Sequence, residues 1–372
     1  MCGICGFVRF HGLPVTDGDD ATLRRMVRSL HHRGPDEAGH LARDGVALAN
    51  ARLSIIDVAA GHQPTHNEDG TVHVVFNGEI YNQSDLRDEL KMLGHRFASR
   101  ADTEVLAHLY EEEGVDFLQR LNGMFAIALW DEPGRRLVLA RDRLGIKPLF
   151  YAESGGRLIF GSEIKAILQL PEFIVEADRA SIDQYLSLRY SGGSSTLFRG
   201  VHRLLPGQML VADIDAGSWT TNQYWEPWKV AEAAPAASPD GAAERVRWLL
   251  DDSVRLRLMS DVPFGAFLSG GLDSSGIVAL MAQHMDEPVE TFSIRFSEEP
   301  HLDEGEHALA VSRHCGTRHH EVDCTADRVE LLPQLLSHFD EPFADPIIVP
   351  THQVSQLAAE HVKVILTGEG AD

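Results

Sequence analysis

The chain begins MCGICGFVRF, residues 1–10, and this stretch places a cysteine directly after the initiator methionine. If Met1 is removed, which a small second residue permits, Cys2 carries both a thiol and a free α-amino group. The ordinary pKa values of these groups, about 8.5 and about 7.7–8.0, let a proton pass between them near neutral pH. We therefore expect Cys2 to be a nucleophile that needs no histidine as its base.

Two alternative roles for Cys2 stay open on this stretch alone. Cys2 could be an ordinary buried cysteine, or Cys2 and Cys5 could form a C-x-x-C metal or redox pair. A zinc site of that kind needs a second pair of ligands, and Cys315 and Cys324 have the wrong spacing to supply it. Four scattered cysteines are also too few for a disulfide scaffold.

Two later segments carry charged residues suited to hold an amino acid. NARLSIID, residues 50–57, places Arg52 on a predicted turn, where its guanidinium could bind a carboxylate through two hydrogen bonds. RADTE, residues 100–104, adds Asp102, which could accept a substrate ammonium or cap the helix that follows.

A third segment, FNGEIYN at residues 76–82, ends a predicted strand on Asn-Gly. After an alternating strand, Asn-Gly is most simply a tight turn. The side-chain amide of Asn77 and the backbone N–H of Gly78 are also the two donors that an oxyanion hole requires. The segment therefore supports the catalytic interpretation of Cys2 without deciding it.

Length and composition set broad limits. A chain of 372 residues has room for about two domains, and 44% hydrophobic with 24% charged residues is typical of a soluble globular protein. The first residues lack a basic segment and a long apolar run, and no apolar stretch could span a membrane, so we expect a cytoplasmic protein. The net charge of −23 would repel a phosphate backbone, so nucleic acid is not an expected partner.

The pattern of predicted elements changes along the chain. In the first 215 residues or so, strands are predicted at 72–76, 125–130, 137–140 and 158–160. Apolar residues at helical spacing predict helices at 86–93 and 103–112, the second with Asp102 as its cap. AEAAPAASPDG, residues 231–241, is typical of a linker. Beyond it, predicted helices at 242–258 and from 275 alternate with predicted strands at 264–268, 289–296 and 362–366. This alternation predicts βαβ units and a parallel sheet covered on both faces.

The strand predicted at 264–268 leads into SGGLDSS, residues 269–275, and then into a helix. A glycine-rich turn at a helix N-terminus presents several backbone N–H groups to an anion. The turn lacks the lysine of a Walker loop, and a Gly-Gly strand exit is often only a turn. Asp273 within it could ligate Mg²⁺.

Five motifs together resemble the class II glutamine amidotransferases: MCGICG at 1–6, HRGPD at 32–36, RLSI at 52–55, NGEIYN at 77–82 and RDRLGIKPL at 141–149. The resemblance implies an α+β N-terminal-nucleophile sandwich of αββα layers. It also implies that Cys2 attacks the side-chain amide of glutamine and that Asn77 and Gly78 stabilise the oxyanion. Arg52 would bind the glutamine α-carboxylate, and Glu79 and Asp102 its α-amino group. The segment Leu53, Ser54, Ile55 and Ile56 would complete the glutamine site.

The second half resembles ATP pyrophosphatases in SGGLDSS, and asparagine synthetases in TGEGAD at 367–372. The implied fold is an α/β parallel-sheet domain, which we expect to be incomplete because family members continue further. DEPFADP, residues 340–346, would line the acceptor side. Asp273 and Asp372 would bind Mg²⁺, and Glu369 would take part in forming the aspartyl adenylate. ATP would contact Leu268, Ser269, Gly270, Gly271, Asp273, Ser274, Ser275, Ile294, Thr367 and Gly368.

These resemblances predict a glutaminase domain at residues 2–218, a linker at 219–241 and a synthetase domain at 242–372. The expected substrates are glutamine, aspartate and ATP, and a homodimer is a candidate assembly. Two alternatives stay open: a relative that amidates another carboxylate, and a regulatory fragment without synthetase activity. Sugar-phosphate amidotransferases share the first domain but not SGGLDSS. The 19 histidines form no H-x-x-x-H or E-x-x-H pattern in a context that suggests a metal.

Overall fold

The computed structural model describes residues 1–233, 238–324 and 330–370. The chain divides into two compact units, Met1–Ala234 and Pro235–Asp372. Within the described ranges, no helix is both long enough and apolar enough to cross a membrane.

The described part of the first unit, residues 1–233, contains twelve strands and six α-helices. The strands are β1 Gly3–Arg9, β2 Glu37–Arg43, β3 Val46–Arg52, β4 Thr65–His66, β5 Val72–Ile80, β6 Gly123–Asp131, β7 Arg136–Arg141, β8 Phe150–Ser154, β9 Arg157–Gly161, β10 Val201–Arg203, β11 Gln208–Asp213 and β12 Ser218–Gln223. The helices are α1 Asp17–Ser29, α2 Gln83–Leu93, α3 Glu104–Glu113, α4 Ile164–Ile167, α5 Arg179–Leu188 and α6 Pro227–Ala233.

These strands form two six-stranded sheets, in the orders β10-β8-β9-β1-β3-β2 and β12-β11-β7-β6-β5-β4, and the pairs are antiparallel. One apolar core lies between the sheets and includes Ile4, Leu48 and Trp130. A second packs α2 and α3 on the β5–β6 sheet, and a third packs α1 and α4 on the β1–β3 sheet. The layers are therefore α, β, β and α, which confirms the predicted sandwich.

The predicted helix cap and the predicted linker both differ from the structure. Asp102 does not cap α3: the N-cap residue is Thr103, and the Asp102 carboxylate instead accepts a hydrogen bond of 2.9 Å from the N–H of Ile80. The predicted linker at 219–241 is also too long. Residues 219–223 belong to β12, because their backbone completes the ladder with β11, and residues 239–241 form the first turn of the next helix behind the N-cap Ser238.

The second unit alternates helices and strands. Its strands are β13 Phe264–Phe267, β14 Glu290–Arg295, β15 Arg318–Asp323 and β16 Val364–Leu366. Its helices are α7 Pro239–Arg257, α8 Leu272–His284, α9 Gly305–Cys315, α10 Leu332–His338 and α11 Ile348–Ala359. Helix α8 begins three residues before the predicted start, because the glycine-rich turn leads directly into it.

The four strands form one parallel sheet in the order β15-β14-β13-β16. Residues of α7, α8 and α9 pack on one face of the sheet, and residues of α11 pack on the other, which confirms the predicted covering of both faces. Chain order reverses between β13 and β16, since β14 follows β13 on one side and β16 lies on the other. Open parallel sheets bind ligands beyond the carboxyl ends of the strands at such a reversal.

Candidate active site

Cys2 lies immediately before β1, at the end of the β1–β3 strand pair. The ladder begins at Gly3 opposite Ala51, so its register continues to Cys2 opposite Arg52, the residue before Leu53. The Cys2 thiol lies 3.6 Å from the carbonyl oxygen of Leu53, to which it donates, and 3.4 Å from the Leu53 nitrogen, from which it accepts. Backbone groups on a neighbouring strand therefore hold the sulfur in one place.

The surroundings of Cys2 favour an uncharged amine. Burial lowers the pKa of the N-terminal ammonium, here on Met1, to about 6, although the neighbouring Cys2 sulfur opposes the shift. Burial also raises the pKa of the Cys2 thiol. After removal of Met1 the α-amine would belong to Cys2 itself. An amine that is neutral near pH 7 could then accept the thiol proton.

Asn77 lies on β5, in the sheet opposite Cys2. Its side chain is 1% exposed, and the amide nitrogen Nδ2 has no hydrogen-bond partner among the described residues. A buried donor without a partner costs about 1–3 kcal/mol, so such groups call for a physical reason. A donor kept ready for a negative charge that forms during a reaction would be one.

Gly78 follows Asn77 where β5 pairs with β6. A Cβ atom at this position would lie 2.2 Å from the carbonyl oxygen of Met124 and 2.8 Å from the Cα of Phe125. Because both neighbours are backbone atoms, neither can move aside without breaking the β5–β6 ladder. Glycine is therefore required by packing here, independently of any role of its N–H group.

Glu79, which is half-buried, and Asp102, which is buried, form a pair of carboxyl groups. Burial, reinforced by the charge of Asp102, raises the pKa of Glu79 well above its ordinary value, while the Lys147 ammonium opposes the shift. Burial raises the pKa of Asp102 to about 6, against the hydrogen bonds that it accepts from the backbone. Such a pair retains a proton unless a cation binds beside it.

Arg52 is the last residue of β3, not a turn residue as predicted. Its guanidinium is buried and donates to the carbonyl oxygens of Ile56 and Asp57, at 3.1 and 2.8 Å. It also lies 3.3 Å from a carboxylate oxygen of Glu37. These bonds shape the loop of residues 53–58, whose Ser54 N–H donates to Asp36 at 2.8 Å. Arg52 thus organises the predicted glutamine-binding segment, and its contact with a substrate carboxylate stays a prediction.

Sequence reasoning assigned no role to two ionic groups near Cys2. Arg33 donates through Nε to the backbone oxygen of Cys2 at 2.9 Å, and its Nη1 pairs with Glu163 at 2.8 Å. Burial opposes the ionisation of Glu163, but hydrogen bonds from His32, Arg33 and Lys165 together lower its pKa to about 2. Arg33 lies within the motif HRGPD, which the sequence analysis identified. Its hydrogen bond to Cys2 could not be predicted from that motif, because only the fold brings the two residues together.

Lys147 is the second of these groups. It is 5% exposed and donates to the Met1 sulfur at 3.3 Å. Its loop is held by Asp142, whose carboxylate accepts from the N–H groups of Ile146 and Lys147, both at 2.9 Å. The motif RDRLGIKPL therefore builds a rigid loop that brings one buried cation to the Cys2 site.

The second unit presents the glycine-rich turn at the carboxyl end of β13. Gly270 has a φ of +83°, which favours glycine, and a Cβ there would lie 2.5 Å from the backbone of His307. The hydroxyl of Ser274 lies 3.0 Å from that of Ser269. The Ser275 hydroxyl is buried without a hydrogen-bond partner in the described chain. An unsatisfied hydroxyl beside the first N–H groups of α8 fits a phosphate ligand.

The turn after β16 lies against this loop. A Cβ on Gly368 would lie 2.8 Å from the nitrogen of Ser274, so the predicted ATP residues Thr367 and Gly368 adjoin the SGGLDSS turn. Leu268 follows β13 directly, and its N–H donates to Phe292 of β14 at 2.9 Å. Ile294 lies on β14, and Glu369 is exposed beyond Gly368. Asp372, the second predicted Mg²⁺ ligand, lies outside the described residues.

Comparison with known families matches both units. A family model described as a glutamine amidotransferase domain matches residues 1–225, and one described as asparagine synthase matches residues 245–372.

Curated relatives cover the chain throughout. A putative glutamine-hydrolysing asparagine synthetase of Mycobacterium bovis is 39% identical over 100% of this chain and 59% of its own length. Asparagine synthetase 1 of Bacillus subtilis is 36% identical, with 58% of its length covered. A putative asparagine synthetase of Methanocaldococcus jannaschii is 33% identical, with 74% covered. This chain thus spans less than three fifths of the first two relatives.

One solved structure of similar form is the glutamine phosphoribosylpyrophosphate amidotransferase of B. subtilis, at 14% identity and a TM-score of 0.45, covering 87% of this chain and 81% of that one. That likeness is too distant to support a comparison of function. The family assignment rests on the two family models and on the relatives, of which the M. jannaschii protein is covered over more than two thirds of its length. The chain belongs to the family of glutamine-hydrolysing asparagine synthetases.

Proposed function

We propose that this protein transfers the side-chain nitrogen of glutamine to aspartate at the expense of ATP. Glutamine is hydrolysed to glutamate and ammonia at Cys2. ATP and aspartate form β-aspartyl-AMP and pyrophosphate, and ammonia displaces AMP to give asparagine. The observation that carries the proposal is the buried Asn77 amide, which has no partner among the described residues and lies on the sheet opposite Cys2.

In the first half-reaction, the free α-amine of Cys2 takes the thiol proton and the sulfur attacks the amide carbon of glutamine. The carbonyl oxygen gains negative charge, which Asn77 Nδ2 and the Gly78 N–H would stabilise. The α-ammonium returns the proton to the departing nitrogen, and ammonia leaves a thioester. Water then attacks the thioester and releases glutamate and the thiol.

Charge complementarity supports the orientation of glutamine in this site. The carboxyl pair of Glu79 and Asp102 would gain most from a cation, so we place the α-ammonium of glutamine beside it. Arg52, which already holds the loop of residues 53–58, would bind the α-carboxylate. The two charges of the amino acid then fix the side-chain amide at Cys2.

For the second half-reaction, we assign the ATP phosphates to the SGGLDSS turn, where the Ser275 hydroxyl and the start of α8 fit an anion. Asp273 would hold Mg²⁺, which when bound neutralises phosphate charge. Glu369, beyond Gly368, would contact the reacting carboxylate. DEPFADP, at residues 340–346, would face the acceptor. A cytoplasmic location and a homodimer stay predictions.

The choice of acceptor can be tested by pyrophosphate release. The full-length protein would be supplied with ATP, Mg²⁺ and either aspartate, glutamate or succinate. We expect release with aspartate only, and an Asp273→Asn variant should lose it while retaining glutaminase activity. Release with another carboxylate but not with aspartate would replace the proposed acceptor and leave the glutaminase proposal intact.

The carboxylate pair predicts a pH dependence of glutamine binding. We expect the KM for glutamine to rise as the pH falls through about 6, because Asp102 then takes up a proton and no longer attracts the substrate ammonium. An Asp102→Asn variant, which retains an oxygen to accept from Ile80, should have a high KM at neutral pH and a flatter profile. A KM of the unmodified protein that stays constant from about pH 5 to about pH 8 would contradict this role.

The same shift affects stability with a defined sign. The folded-state pKa of Asp102, about 6, lies above the unfolded value of about 3.9. The folded protein therefore binds the proton more tightly, and the free protein loses stability as pH rises through this window. A bound ammonium opposes that loss, so glutamine should raise the melting temperature of Cys2→Ala protein more above pH 6 than below it.

A further inference from the structure

A second group of functional side chains lies in the first unit, apart from Cys2. Glu68 lies in the turn between β4 and β5, His95 follows α2, and His108 and Glu111 lie on α3. One ligand atom from each of these four residues lies within 4.8 Å of all the others. Because three separate segments supply them, no spacing pattern in the sequence shows the group.

The distances suit one metal ion. His108 Nδ1 lies 3.2 Å from Glu68 Oε2 and 3.4 Å from Glu111 Oε2. His95 Nδ1 lies 3.4 Å from Glu68 Oε1 and 3.8 Å from Glu111 Oε2. A tetrahedral zinc site with bonds of about 2.0–2.2 Å has ligand atoms about 3.3–3.6 Å apart. The four side chains therefore approach the edges of such a tetrahedron.

His108 supplies a separate argument. Its side chain is fully buried, and neither ring nitrogen makes a hydrogen bond within the described part of the chain. Its Nδ1 atom lies close to the carboxylates of Glu68 and Glu111. A buried polar group without a bond calls for a physical reason, and an ion between these ligands provides one.

A carboxylate also lies near the far side of each ring. His95 Nε2 lies 3.0 Å from Glu112 Oε1, and His108 Nε2 lies 3.9 Å from Glu104 Oε1. Glu104 is itself held by the N–H groups of Ala98 and Ser99, at 2.7 and 2.8 Å. Metal-binding histidines commonly turn the other ring nitrogen toward a carboxylate, which fixes the tautomer and the ring orientation.

We propose that Glu68, His95, His108 and Glu111 bind one divalent transition-metal ion of the Zn²⁺ class. Two imidazole nitrogens select against Mg²⁺ and Ca²⁺, which prefer oxygen ligands. Four protein ligands leave no open position, so the site is structural. The ion joins the β4–β5 turn and the segment after α2 to α3, the helix that begins two residues after Asp102.

Zinc binding to the tag-free chain tests this proposal. After chelator treatment and dialysis, Zn²⁺ is titrated in competition with a chromogenic chelator, for the unmodified chain, a Glu68→Gln/Glu111→Gln double variant and Glu113→Gln. Glu113 lies on the same helix but pairs with Arg120, so it is the matched control. We expect the double variant to lose zinc affinity by at least roughly 10–100-fold, the cost of losing even an outer carboxylate partner, and Glu113→Gln to keep it.

Zinc should also raise the melting temperature of the unmodified chain and of Glu113→Gln, but not of the double variant. The double variant should fold without metal, because it removes two neighbouring negative charges. The new amide that replaces the Glu68 carboxylate also retains an oxygen to accept from the Arg96 N–H. Equal zinc affinity in all three proteins would overturn the proposal. So would the absence of tight binding to the unmodified chain, which would leave a histidine–carboxylate ion-pair network instead.

Discussion

Replacement of Cys2 by alanine should abolish glutamine hydrolysis, with a fall in kcat of at least about 10⁴-fold. The sulfur is the atom that would form the thioester, and the thiol of Cys5, three residues away, is fully buried on β1. Alanine is small enough to permit removal of Met1, so the variant keeps a free α-amine. Glutamate release, followed by a coupled dehydrogenase, measures the effect.

The matched control is Cys5→Ala, the same change three residues further along the chain, on β1. Burial raises the pKa of the Cys5 thiol, which keeps it protonated and unreactive. The control should retain glutaminase activity and lose only some stability from the smaller core side chain. Hydrolysis that survived in the Cys2 variant, or was lost in the Cys5 variant, would refute the assignment of the nucleophile.

Replacement of Asn77 by alanine should lower kcat for glutamine hydrolysis by about 10²–10³-fold, the usual loss when one oxyanion donor is removed. The KM should change much less, because the donor acts on charge that develops in the transition state. The amide nitrogen Nδ2 of Asn77 has no hydrogen bond among the described residues, so its removal breaks no hydrogen bond of that nitrogen. Steady-state kinetics measures the loss of catalysis, and circular dichroism of the same samples shows whether the variant is folded.

Asn82→Ala serves as the control for Asn77. Asn82 lies in the same motif, but its side chain bridges the turn by donating to the Arg120 carbonyl at 3.0 Å and accepting from Asn122 N–H at 2.9 Å. Its loss should reduce stability while leaving kcat nearly unchanged. If the Asn77→Ala variant kept its kcat, the assignment of Asn77 as an oxyanion donor would be wrong.

Much of the fold could be predicted because each motif combines local and long-range requirements. The strand that ends at Asn77-Gly78 follows from alternation, and the structure extends it to Ile80. The turn at 269–275 follows from its glycines and the helix after it. Both motifs contain a position that requires glycine. At Gly78 the backbone of a neighbouring strand lies too close for a side chain, and at Gly270 the positive φ favours glycine.

The features that the sequence did not predict correctly share a different physical cause. Asp102 has the type and position of a helix cap, yet its carboxylate bonds to Ile80, which is 22 residues away. Residues 219–223 resemble a linker but gain their strand conformation from pairing with β11. The group of Glu68, His95, His108 and Glu111 comes from three segments. Each of these features depends on contacts between residues that are distant in sequence. Local composition and spacing contain no information about such contacts.

The most direct test of the central claim is to locate the covalent intermediate. The protein, checked by intact mass for removal of Met1, would be mixed with glutamine, quenched in acid within its first turnovers and digested. We expect the N-terminal peptide to carry one glutamyl group, the mass of glutamine less ammonia, on Cys2. A glutamyl group on another cysteine, or glutamate production with no acylated peptide in any quench, would contradict the account.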